Sequence, residues 1–162
     1  LRLSELLALT KENFDLNRST IRINKSYQRI SRHDVITDPK TLKSNRVVQM
    51  PDFLREEMED YFSRLYDLKD KDRIFTVTKS GLHHEMDRGC KISGVKRIRI
   101  HDLRHSHVSL LIDMDFSAVD IANRVGHESV KITYQYAHMF PNRDKEIAKK
   151  LNISNGGIFD EC

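Results

Sequence analysis

The chain is poor in the features that mark secreted or membrane-spanning proteins. Cysteine occurs twice, at Cys90 and Cys162. Two cysteines make a weak disulfide framework and form no metal-type pair, so a reducing, cytoplasmic setting fits best. The longest apolar segments fall far short of a membrane span. No secretory signal opens the chain, which does not begin with Met, and no internal repeats or low-complexity tracts interrupt it. Proline and glycine are sparse, at three and six, and several read as punctuation: Pro51 as a helix start, Gly94 and Gly126 as helix ends.

What is present is charge and one core's worth of apolar residues. At 162 residues the chain suits a single domain. Charged residues make up 32% of it, and the formal net charge of +4 is modest. The distribution says more than the total. Residues 18–46 hold eight Lys/Arg against two Asp/Glu, residues 88–104 hold six against one, and residues 52–87 between them hold ten acidic against six basic. A surface polarised in this way is the electrostatic footprint of nucleic-acid binding, although a solvated charged face has the same composition.

The opening string LRLSELLAL reads as a helix already under way, with Leu3, Leu6, Leu7 and Leu9 inward and no N-cap before them, as if an upstream part were missing. Three runs, at 20–24, 30–37 and 46–50, have strand character and predict a three-stranded antiparallel meander, with turn chemistry from Asp38 to Asn45. After Pro51 a helical stripe carries Phe53, Leu54, Met58, Tyr61, Phe62 and Leu65. A short strand is expected at 74–77 and a helix at 82–92, with His83 and His84 on the surface. Residues 143–151 read as a charged helix whose narrow stripe of Ile147, Ala148 and Leu151 must dock on this domain or on a neighbouring protomer.

The densest stretch is IHDLRHSHVSLLIDMDFSAVDIANRVGHESVKITYQYAHM, residues 100–139. Asp102 has the side chain to cap a helix that buries Leu103, Val108, Leu110, Leu111 and Ile112. His101 and Arg104 then flank its first turn, where a phosphate would be welcome. Ser117 caps a second helix that Gly126 ends, leaving His127 on an exposed corner. Ser129 caps a third, bearing Val130, Ile132, Tyr134 and Tyr136. On one straight helix His127 and Tyr136 would stand about 13 Å apart along the axis. The break at Gly126 lets the corner fold back.

The strings HDLRH and GHESVKITYQYAHMFP resemble the H-x-x-R, then G-H, then Tyr nine residues later, of the tyrosine recombinases, most closely the integrases of phages and conjugative transposons. LRLSELLALT is similar to the family's first catalytic arginine followed by an acidic residue and a Leu-rich helix, and PKTLKSNRVVQMP to its lysine-bearing hairpin. The resemblance implies an α+β, mostly α-helical catalytic-domain fold with a small three-stranded antiparallel sheet. It implies a domain over residues 1–152, truncated at its front, and a flexible tail at 153–162. Its catalytic set falls on Arg2, Lys40, His101, Arg104, His127 and the nucleophile Tyr136, with Lys43 the runner-up to Lys40. Lys43, Arg46, Arg97 and Arg99 are candidate DNA contacts. Neither metal nor cofactor is expected.

The implied chemistry is consistent with those side chains. Two guanidinium groups offset the charge of a phosphodiester's transition state, and His127 adds a hydrogen bond. A phenol beside arginines shifts toward phenolate, Lys40 protonates the leaving 5′-oxygen, and His101 accepts or returns the tyrosine proton. Tyr134 points away from Tyr136 on a helix and is expected to pack. The implied partners are double-stranded DNA attachment sites and, in a full-length bacterial cytoplasmic protein, a homotetramer on paired sites, while this chain alone could be a monomer. Two alternatives stand beside this reading: a catalytically silent module that reads DNA through residues 117–138, and a metal phosphohydrolase built on His101, Asp102, His105 and His107.

Overall fold

The computed structural model describes residues 1–39, 41–140, 144, 146–149 and 151. Helix α1 is a single turn, Leu3–Leu6, whose N-cap is Arg2. It hands Leu7 and Leu9 to the interior, where they are 0% and 3% exposed. Strands β1 (Phe14–Asp15), β2 (Thr20–Ile23), β3 (Ser26–Ile30), β4 (His33–Thr37) and β5 (Arg46–Gln49) follow.

Their pairing differs from the expected meander. The three-stranded antiparallel sheet has the order β1-β2-β5, with Ile21 opposite Val48 and Ile23 opposite Arg46. The 30–37 run is absent from it, because it folds back on the residues just before it as a separate β3-β4 hairpin. Its two-residue turn, Ser31-Arg32, has φ values of 47° and 69°. That is the turn hand that matches strand twist, built here without the Asn or Gly that would have announced it.

Helix α2 (Asp52–Arg64) starts after Pro51 and packs Met58, with Leu54, Tyr61 and Phe62, against Ile21 and Ile23 of the sheet and Met50 just after β5. Phe53, expected in that stripe, is instead 66% exposed. Residues 74–77 form no strand. Ile74 is buried, its N–H donating to the Leu9 carbonyl at 3.0 Å, beside an isolated bridge between Thr10 and Arg73. Helix α3 (Lys79–Ser93) begins three residues earlier than the apolar pattern suggests, since Thr78 caps it by accepting from the Gly81 N–H, and Gly94 ends it at φ 70°. His83 and His84 are exposed.

The second half is helical. Helix α4 (Asp102–Asp113) buries Val108, Leu111 and Ile112 against Ile121 and Val125 of α5 (Ala118–Val125). Leu103 and Leu110, expected inside, lie on the outer face at 51% and 54% exposure. Asp102 does not cap α4, because its carboxylate accepts from the Arg99 backbone and guanidinium. Ser117 caps α5 by accepting from the Asp120 N–H. The expected third helix is split into α6 (Val130–Thr133) and a 3₁₀-helix, Tyr134–Met139.

Residues 144, 146–149 and 151 are helical, with Ile147 and Leu151 exposed; the tail expected at 153–162 lies outside the described residues. Among the described residues, no helix is long and apolar enough to cross a membrane. Among the described residues two larger apolar cores result, one between the sheet and α2 and one between α4 and α5, beside a smaller cluster of Leu7, Ala8 and Tyr27. The polar residues of interest gather at their seam.

The two cores make a direct test. Ile121→Ala, at a site 1% exposed, should cost about 2–5 kcal/mol in urea denaturation. Phe53→Ser should stay within about 0.5 kcal/mol of the parent. Comparable losses from both would contradict this packing.

Candidate active site

The site is organised on the C-terminal end of α5. Gly126 takes φ 71° and ψ 50°, a left-handed cap suited to a residue without Cβ, and both Gly126 and His127 donate their N–H to the Ala122 carbonyl. The last carbonyls of the helix therefore point onward without helical partners. Three arginines from three parts of the chain meet them. Arg46 Nε donates to Arg124 O at 3.1 Å, Arg104 Nη2 to Val125 O at 2.6 Å, and Arg2 Nη2 to Gly126 O at 3.1 Å. A helix C-terminus carries partial negative charge, which favours this assembly of cations.

Glu5 holds two of the three. Its Oε2 accepts from the Arg2 backbone N–H at 2.7 Å and Arg46 Nη2 at 3.0 Å, and its Oε1 from Arg2 Nη1 at 2.8 Å and Arg46 Nη1 at 3.1 Å. The Glu5 and Arg46 side chains are 5% and 7% exposed. Burial alone would raise the Glu5 carboxyl, but hydrogen bonds and charge from Arg46 and Arg2 hold it at about 2. Arg46, expected as a DNA contact, is thus an interior brace that fixes Arg2 and the end of α5.

Arg104 is buried, and burial, then the charge of Arg2, lowers its guanidinium to about 10. Its Nη1 is a buried donor without a hydrogen-bond partner among the described residues. Such a group is costly unless an anion arrives to accept from it. Arg104 therefore reaches across to the end of α5 and does not serve the first turn of its own helix.

His127 lies inside and not on an exposed corner. It is 7% exposed, and its Nδ1 is 2.9 Å from Thr133 Oγ1, itself fully buried at the end of α6. Burial, then Arg104, Arg2 and Arg46, depress His127 to about 4. The ring is accordingly neutral at neutral pH. In the tautomer in which the Thr133 hydroxyl donates to Nδ1, Nε2 carries the proton and can donate to a phosphate oxygen.

Tyr136 is half-buried against the α4–α5 core, and its hydroxyl is hydrogen-bonded to His105 Nδ1. Burial raises the phenol while Arg104 opposes it, so the expected drift toward phenolate is absent from the resting site. His101 is exposed and its ring meets that of His105 edge-on, centroids 5.0 Å apart. Burial, then His105 and Arg104, lower its basicity. Tyr134, 56% exposed, faces away near Phe140.

Lys40 lies outside the described residues. Its neighbours Pro39 and Thr41 line a cleft of about 390 Å³ that begins at Arg2. Lys43 is exposed and borders a second cleft with Gly126 and His127. Arg97 and Arg99 are paired with Asp87 and Asp102, both at 2.8 Å, so a phosphate would have to compete with these carboxylates. Among the described residues no group of three or more His, Cys, Asp and Glu could hold a metal ion.

Residues 1–143 match the model of the Phage integrase family, so the whole site falls within the match. The chain belongs to that family. It is similar to the ICEBs1 integrase of Bacillus subtilis (strain 168), 35% identical over 168 residues that cover 94% of this chain and 45% of that protein. The integrase of Staphylococcus phage L54a is 31% identical over 171 residues, 93% of this chain and 48% of its own. The fold is similar to that of the Tn1549 transposon integrase solved in complex with circular intermediate DNA. The TM-score is 0.73 at 18% identity, over 94% of this chain and 56% of that one. The chain thus spans about half the length of these integrases.

Three positions of this integrase-family chain escaped the reading of its sequence as parts of the site. Glu5 was legible only as an acidic residue after Arg2. Thr133 carried no signal. His105 had one, since it stands four residues after His101 and shares its helix face, but it was weighed only as a metal ligand.

Two outcomes test these electrostatics. Glu5→Ala should cost about 3–5 kcal/mol, because it strands Arg46 in the interior. Stability lent by the Glu5 carboxylate is present above its unfolded value of 4.5 and is lost as pH falls toward 2. Urea midpoints of Glu5→Gln should therefore vary less with pH across that window than those of the parent. In an NMR titration the His127 ring signals should stay flat through pH 6.5 and move only near pH 4. A midpoint near 6.5 would contradict the buried, neutral ring.

Proposed function

We propose that this chain is the catalytic part of a tyrosine-type site-specific recombinase. It cuts and rejoins DNA strands through a 3′-phosphotyrosyl link, for integration and excision of a mobile element. The observation that carries this reading is the unpartnered, buried Nη1 of Arg104, set among Arg2, neutral His127 and a half-buried tyrosine. An anion with several oxygens would accept from all three donors, and a phenol stands ready to attack it.

In this reading Arg2 and Arg104 bind the non-bridging oxygens of a scissile phosphate and offset the charge that grows in the pentacovalent transition state. His127 Nε2–H adds a third donor. Tyr136 Oη attacks phosphorus, and the 5′-oxygen leaves with a proton from Lys40, with Lys43 the alternative. His101 belongs to the path of the tyrosine proton. The bond energy is kept in the phosphotyrosine, so a 5′-hydroxyl of another strand reverses the step without ATP. Family membership and the DNA-bound Tn1549 relative support DNA as the substrate. Lys43, Arg97 and Arg99 are surface positions from which backbone phosphates could be reached. A homotetramer on paired attachment sites, in a bacterial cytoplasm, completes the proposal for the whole protein.

The test is incubation with supercoiled plasmid in excess EDTA, an SDS quench, and assay for relaxed topoisomers and protein-linked DNA. The parent should form both and Tyr136→Phe neither. Arg104→Lys, which keeps charge but loses the planar fork, should lower adduct yield by about 10²–10³-fold. Adducts from Tyr136→Phe would refute Tyr136 as nucleophile. DNA binding without adducts by the parent would favour the silent module, and loss of activity in EDTA the phosphohydrolase.

A further inference from the structure

Residues 101–105 bring two histidines onto one face of α4, and only one of them touches the tyrosine. The Tyr136 hydroxyl is hydrogen-bonded to His105 Nδ1, with ring centroids 5.9 Å apart. The His101 ring meets that of His105 edge to face, centroids 5.0 Å apart. The arrangement follows from helix geometry. Arg104 reaches to Val125 O, and the next residue, one step around the helix, faces the Tyr134–Met139 segment. Within that segment Tyr136 departs from helical backbone values, at φ −96° and ψ 16°.

We propose that His105, and not His101, is the group that receives the Tyr136 proton during strand cleavage and returns it during rejoining. The proposal rests on the recombinase reading above. As Tyr136 Oη forms its bond to phosphorus, its O–H bond breaks and the proton passes to His105 Nδ1, which makes an imidazolium. The P–O5′ bond breaks with its electron pair going to O5′, which takes a proton from the general acid. Rejoining runs each transfer backward. To accept, His105 must hold its own proton on Nε2, leaving Nδ1 free for the phenol. His101 then acts one ring away, as a positioning residue that supports His105.

Facing His105 are His101, Asp102 and Arg104 on α4, His127 at the corner after α5, and Tyr136 on the last 3₁₀-helix. The Asp102 carboxylate is held by Arg99, and Arg104 donates to α5, so neither occupies the imidazole. Until phosphate binds, the hydrogen bond keeps the phenol protonated and parked. That fits the raised phenol of the resting site.

Two measurements test it. Long-range ¹H–¹⁵N NMR of the uniformly labelled protein, without DNA, should show His105 protonated on Nε2 with Nδ1 as a hydrogen-bond acceptor. Tyr136→Phe should shift that Nδ1 signal and leave the His127 signals in place. A proton on His105 Nδ1 would overturn the proposal.

On supercoiled plasmid, His105→Ala should slow adduct formation by about 10²–10⁴-fold. Its rate should rise with pH more steeply than the parent's, and added imidazole should restore part of it. His105→Gln can accept the phenol's hydrogen bond but not its proton. It should fold as the parent does, by circular dichroism and urea midpoint, and still be slow. If His105→Gln cleaves within about twofold of the parent with the same pH dependence, His105 is not the acceptor. Adducts formed by Tyr136→Phe would instead bring down the recombinase reading itself.

Discussion

The site depends on a helix end that is satisfied by arginines. Helices in water leave their last carbonyls to solvent; here Arg124, Val125 and Gly126 offer theirs to Arg46, Arg104 and Arg2. Three guanidinium groups held this close repel one another, and two things offset the repulsion: the partial negative charge of the α5 terminus and the buried carboxylate of Glu5. The arginines are therefore fixed before any substrate arrives. In the proposed function, arginines held in this way would stabilise a charged transition state without reorganising at the moment of reaction.

The same arrangement explains why Gly126 stands where it does. A Cβ at this position would lie 2.8 Å from Arg46 Nη1, and the residue's φ is +71°. Arg46 is pinned by Glu5 and by the Arg124 carbonyl, so it has little room to give way. One glycine thus ends a helix, admits a guanidinium against its backbone and turns the chain inward to bury His127 beside Thr133.

Tyr136 shows how packing and chemistry are coupled. It closes the α4–α5 core as a partly buried aromatic and also presents its hydroxyl to a histidine. Burial favours the neutral phenol, so in the proposed function the nucleophile is held in its unreactive form at rest. In that proposal a bound phosphate would draw Arg104 and His127 into new hydrogen bonds beside the Tyr136 hydroxyl. The seam between the two cores is the place where residues from positions 2, 46, 104, 127 and 136 can converge, because each core alone is closed by apolar side chains.

The sequence by itself determined most of the longer helices, the helix caps at Ser117 and Ser129, the stop at Gly126 and the family, because caps, periodicity and motif spacing are local and survive in one dimension. The resemblance of its motifs to the family's also picked out Arg2, Arg104, His127 and Tyr136, which the fold brings to one seam. Tertiary structure alone decided who meets whom. The 30–37 run folds back on β3 and leaves the sheet to β1, which no local pattern distinguishes from a meander. Phe53 is exposed although it lies on an apolar stripe, since a stripe states a face and not how far the neighbouring element extends. Arg46 looked like a surface cation, and its burial follows from Glu5, forty-one residues away. Histidine identity at 101 and 105 is equally visible in the chain, but which of the two reaches the phenol depends on where the Tyr134–Met139 segment crosses α4. Long-range partners decide burial, charge state and hydrogen bonding, and these are properties of the folded chain that no stretch of its sequence holds alone.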